Sequence, residues 1–65
     1  MGELRGSILA VIALLEARDK VAGGGAPVFF VENEDERQKL GLTLSRALDA
    51  MAHDLENGVL IIVRH

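Results

Sequence analysis

Two short runs, Val28-Phe29-Phe30-Val31 and Val59-Leu60-Ile61-Ile62-Val63, are apolar at every position. A strand that wets one face alternates. A strand with no alternation is covered on both faces, as in interior strands of parallel sheets. Each run follows a longer stretch with helical periodicity, so the order reads helix, strand, helix, strand. This places only two strands in the chain, and two parallel strands cannot cover themselves. The expectation is a small α/β domain, α-β-α-β, with a two-stranded parallel sheet: a βαβ unit plus an N-terminal helix, completed by oligomerisation.

Length sharpens that expectation. A chain of 65 residues reads as one domain, residues 1–65. It buries only about 60% of the surface exposed by its unfolded form, so burial and conformational entropy nearly cancel. Small domains add disulfides, a metal or a partner subunit. Cysteine is absent, which excludes disulfides and thiolate metal sites and fits a reducing, cytoplasmic setting. Two histidines, His53 and His65, are too few for a histidine cage. Self-association remains as the source of extra stability, and no metal or cofactor is expected.

The first helix is predicted over residues 3–21. Leu4, Ile8, Val11, Ile12 and Leu15 recur at three- and four-residue spacing, which marks one helical face. The apolar run from Ile8 to Leu15 is far short of the ~20 residues that span a bilayer. Glu3 and the charged Glu16-Ala17-Arg18-Asp19 argue against a signal peptide. No membrane association is expected. Gly23-Gly24-Gly25 stops the helix, because glycine enters the left-handed region freely. Pro27 suits the first position of a strand. A phosphate cradle would run from strand into helix, and the triplet runs the other way.

Asn33 is a good helix N-cap, and Glu36 three residues on completes a capping-box pattern. The second helix is predicted to run to about Glu56, with Leu40, Leu44, Ala47, Leu48, Met51 and Leu55 as its stripe. Gly41 inside it marks close contact, a bend or a break. Such a helix overhangs a five-residue strand twofold, and the surplus stripe again asks for a second copy of the chain.

Ligands of parallel α/β units favour the carboxyl ends of the strands. Those ends carry Glu32-Asn33-Glu34-Asp35-Glu36 and Arg64-His65. In parallel register, Glu32, Asp35, Arg64 and His65 form the candidate site: carboxylates for a divalent cation or acid–base work, His65 as proton carrier, Arg64 as anion anchor. The plainer account is a charged N-cap beside a chain terminus, with a Glu32–Arg64 surface pair worth about 0–1 kcal/mol. His53 four residues after Asp49 suggests a hydrogen bond along a helix face. There is no Cys or Tyr nucleophile, and Ser7, Thr43 and Ser45 sit on no strand-to-helix elbow.

The formal net charge of −3 argues against a protein built for phosphate backbones. Arg37, Lys39 and Arg46 could share a face, but Glu34, Asp35 and Glu36 adjoin it. Both Phe residues fall in a strand, so there is no stacking platform. The expected function is therefore a non-enzymatic homo-oligomeric assembly or interaction module, with itself as partner. The alternatives are a small oligomeric enzyme or ligand binder with an inter-subunit site at the strand ends, and a DNA-associated regulator.

Overall fold

The computed structural model describes residues 8–22 and 24–64. The elements are β1 (Ile8–Leu14), a 3-10 helix (Leu15–Lys20), β2 (Val28–Val31), α1 (Glu34–Ala47), β3 (Met51–Asp54) and β4 (Val59–Val63). The strands form one four-stranded mixed sheet in the order β2-β1-β4-β3. The small α/β class stands, while the two-stranded parallel sheet gives way to four strands and one α-helix among the described residues.

The first correction concerns residues 8–14, expected in a helix and found as the strand β1. Ile8, Val11 and Ile12 are β-branched, and β1 lies between β2 and β4 with α1 packed on one face and the 3-10 helix on the other. A run apolar at nearly every position satisfies helical and strand spacing equally. Residues 3–7 of the predicted helix, and Gly23, lie outside the described residues.

Because β1 takes the centre, the two runs expected to pair in parallel are not neighbours. β1 is parallel to β2, with Val11 opposite Val28 and Leu14 opposite Val31. It is antiparallel to β4, with Ile12 opposite Leu60 and Ala13 opposite Val59. β2 and β4 therefore run in opposite directions. A bulge falls between Ile8 and Ala10, with Leu9 as the extra residue.

The second correction is at the end of the helix, expected near Glu56 and found at Ala47. Leu48 caps it, and Asp49 turns left-handed with φ of 53°. Ala50 N donates to Ser45 O at 2.8 Å, and Asp49 N to Arg46 O at 3.3 Å. These are the six-to-one and five-to-two bonds of a Schellman motif, built on Asp instead of the commoner Gly. Met51–Asp54 then forms the edge strand β3, antiparallel to β4. Helix and strand together occupy the stretch whose spacing looked like one long helix.

α1 crosses from one edge of the sheet to the other and touches all four strands. Under it, Ala10, Ile12, Leu60 and Ile62 are buried, with Leu40, Leu44 and Val31 packed against them. Gly41 explains the close approach: a Cβ there would sit 3.1 Å from Leu60 Cδ2. The helix is thus unbroken, and its internal glycine is a point of contact with the sheet. On the opposite face Ala13, Ala17 and Val59 are buried with Val11, Leu14, Val21 and Ile61. There the 3-10 helix takes the covering role expected of a longer N-terminal helix.

The β3–β4 turn docks onto that 3-10 helix. Gly58 has φ of 90°, and an added Cβ would lie 2.9 Å from Ala17 Cβ. Leu14 N donates to Gly58 O at 2.9 Å. Four strands, of which β1 and β4 are central, remove the shortage of sheet that made a second copy seem obligatory.

Candidate interaction site

The N-terminus of α1 is fixed first. Asn33 Oδ1 accepts from Glu36 N at 2.9 Å, as the capping pattern predicts. The Glu36 carboxylate reaches back one residue further than in a capping box and accepts from Glu32 N at 3.0 Å. Both bonds tie the end of β2 to the first turn of the helix.

One turn further in, Arg37 is only 4% exposed, and a buried cation requires partners. Its Nε and Nη2 donate to the two Glu34 carboxylate oxygens at 3.1 and 2.6 Å. Its Nη1 and Nη2 donate to the two Asp54 oxygens at 3.2 and 3.1 Å. This double fork uses the planar geometry that a lysine lacks. Hydrogen bonds from Arg37, then from Gln38, hold the Glu34 carboxyl below its ordinary range. Arg37, then the backbone N–H of Glu56, do the same for Asp54. Glu34 and then Asp54 make Arg37 hold its proton more firmly than usual.

Asp54 performs two tasks, because its Oδ1 also accepts from Glu56 N at 2.8 Å and shapes the β3–β4 turn. The triad locks α1 onto the far edge of the sheet. With four of the five Arg37 N–H donors, and both forks of the guanidinium, committed to carboxylates, it is a clasp with no vacant fork for an anion. The Glu34-x-x-Arg37 spacing was visible in the sequence. Asp54, seventeen positions from Arg37, could be paired only by knowing that β3 exists.

At the other edge, β2 and α1 diverge and leave a groove of about 550 Å³ lined by Phe30, Val31, Glu32, Glu36, Lys39, Leu40 and Thr43. Its lining is mixed: Phe30, Val31 and Leu40 supply apolar surface, and Glu32, Glu36, Lys39 and Thr43 supply polar surface. Phe30 is 49% exposed, although it lies in a strand expected to be interior. Among the described residues β2 is an edge strand, with no neighbour on its outer side to bury it. Lys39 Nζ lies 3.1 Å from Asp35 Oδ2, both side chains being largely exposed.

The sequence-predicted site residues are distributed differently. Glu32 lies beside the groove, and Asp35 is on the first turn of α1, engaged with Lys39. Arg64 follows β4, whose last residue Val63 pairs with Ile8, whereas Val31 pairs with Leu14 at the other end of β1. Six residue steps of β1 separate these ends, about 20 Å at ~3.3 Å per residue. Glu32 and Asp35 are therefore not gathered with Arg64, and His65 lies outside the described residues. The cause is the antiparallel placement of β4, which puts its carboxyl end opposite that of β2.

Asp49 and His53 do not share a helix face: Asp49 closes α1 and His53 stands on β3. Of the cations proposed for a phosphate face, Arg37 is consumed by the triad and Lys39 is paired with Asp35. Among the described residues no group of three His, Cys, Asp or Glu side chains could hold a metal ion. No helix among them is long and apolar enough to cross a membrane.

Among the described residues the fold is a small mixed α/β module with a groove of mixed polarity beside the sheet edge β2. The chain belongs to the family described as capping complex subunit for YIEGIA, whose model matches residues 5–65. It is similar to a protein of Bacillus subtilis (strain 168) described as uncharacterized protein YpzH. The two are 41% identical over 58 residues, which cover 89% of this chain and 86% of that one. No solved structure matches.

Proposed function

We propose that this chain is a non-enzymatic subunit of a protein complex that contains a YIEGIA protein, and that it acts by binding. The observation that carries this reading is membership in a family described as capping complex subunits for YIEGIA. The surface supports it. Leu15, Phe29, Phe30, Leu42, Leu48, Met51 and Leu55 are each between 38 and 53% exposed, in a chain short enough that its apolar residues are needed for its own core. Single exposed apolar residues are ordinary, but several in so short a chain suit contact with a partner. The absence of cysteine fits a cytoplasmic complex.

The test is co-expression with the YIEGIA protein of the same organism and affinity capture through a tag on that partner. The chain should be retained through washing at moderate salt and elute with the partner at a constant ratio. A chain that passes through unretained contradicts the proposal.

A homodimer is the second reading. It is favoured by the two sheet edges β2 and β3, of which β3 is exposed at all four positions. Edge pairing across a two-fold axis would join two sheets into one. Light scattering of the chain alone decides between them: a concentration-dependent dimer supports the second, a monomer that associates only with its partner supports the first.

A further inference from the structure

The two edges of the sheet differ in a way that indicates how a partner binds. Strand edges present unpaired N–H and C=O groups, and proteins defend them with charge, proline, bulges or cover. β3 carries His53 and Asp54, and Asp54 is clasped by Arg37. β2, by contrast, is Val-Phe-Phe-Val with no charge in it, and it holds the only two aromatic residues of the chain. Aromatic side chains concentrate binding energy at interfaces.

The ladder shows which groups are free. Val11 N donates to Pro27 O at 2.9 Å. In a parallel pair the groups of β2 that face β1 then continue at Phe29 and Val31, so the N–H and C=O of Val28 and Phe30 point outward. Among the described residues no strand lies beyond β2. Beside these groups runs the groove whose lining includes Phe30, Val31 and Leu40. Its ~550 Å³ is room for more than one side chain, within the 300–1,000 Å³ range typical of binding clefts.

Charge at the groove is one-sided. Lys39 is engaged by Asp35, whereas Glu32 and Glu36 have no cationic partner among the described residues. We propose that an extended segment of the partner subunit adds to the outer edge of β2 as a fifth strand. An apolar side chain of that segment seats against Val31 and Leu40 on the α1 side, and a basic one meets Glu32 and Glu36. Such strand addition draws affinity from main-chain bonds and specificity from alternate side chains in pockets. The four residues of β2 admit a segment of about 13 Å at ~3.3 Å per residue. The inference rests on the proposal that the chain is a complex subunit, and gives that subunit its mode of contact.

The experiment is amide hydrogen exchange on the chain alone and in its complex with the YIEGIA protein. The amides of Val28 and Phe30 should exchange at least tenfold more slowly in the complex, with those of Met51–Asp54 unchanged. Phe30→Pro removes an outward donor without touching the ladder to β1, and should weaken the complex at least tenfold while unfolding remains cooperative. Glu32→Arg, on the exposed rim, should weaken it at least threefold, with the effect shrinking as salt is raised. A complex that forms while β2 exchanges as in the free chain overturns this inference alone. So does protection at β3, or protection of β2 in the chain by itself that grows with concentration, which would put a second copy in the groove. Failure to form any complex overturns both this inference and the proposed function.

Discussion

Replacing Gly58 by Ala tests the contact on which the second face of the sheet depends. Gly58 sits at φ of 90°, and its Cβ position is 2.9 Å from Ala17 Cβ. An L-residue in the left-handed region costs about 1–2 kcal/mol. Forcing a methyl into a packed contact costs about 1–3 kcal/mol. Ala17 belongs to a short 3-10 helix that can shift, so the lower half of that range applies. The sum is about 2–4 kcal/mol, against a total of roughly 3–10 kcal/mol for a domain of this length. At about 4–8 °C per kcal/mol for small domains, the melting temperature should fall by about 8–32 °C.

Circular dichroism melts of the parent and four variants separate the two causes. Gly25→Ala is the control, since nothing lies within 4 Å of its Cβ position and its φ is not left-handed; it should melt within a few degrees of the parent. Adding Ala17→Gly to Gly58→Ala should recover only the share due to the clash, leaving the backbone share. Ala17→Gly alone should be mildly destabilising. A Gly58→Ala protein that melts like the parent would refute the docking of the β3–β4 turn on the 3-10 helix.

Three further substitutions probe other contacts. Gly41→Val brings branched methyls against Leu60 and Ile12 and should destabilise by about 1–3 kcal/mol, read as a lower urea midpoint. Asp49→Gly relieves the left-handed φ of 53° at the end of α1 and should stabilise by about 0.5–1 kcal/mol, seen in the same assay. The carboxyls of Glu34 and Asp54 are held below their ordinary values in the folded chain. Their contribution is present above the ordinary carboxylate range near pH 4 and is lost as pH falls through the depressed folded values. Asp54→Asn should lower the urea midpoint at pH 7 and flatten its decline below pH 4.

Much of the local chemistry was legible in the sequence. Asn33 and Glu36 announced the start of α1, and the two apolar runs became β2 and β4. Gly41 was marked as a close contact, a bend or a break, and the structure selects the contact, with Leu60. Tertiary context decided the rest. β1 was hidden because a run buried on both faces carries no period of its own. β3 was hidden because Leu48, Met51 and Leu55 kept helical spacing across a helix end made by Asp49. Once β1 occupied the centre, β4 reversed relative to β2, and the site imagined at the two strand ends came apart with it. The Arg37 clasp and the groove at β2 both depend on which strand lies at which edge, and one-dimensional spacing does not specify that.

Sedimentation velocity of the chain titrated with the YIEGIA protein tests the role assigned to this module most directly. The slow boundary of the small chain should disappear into a faster one that saturates at a fixed ratio. A boundary that keeps its rate and height throughout the titration would contradict it.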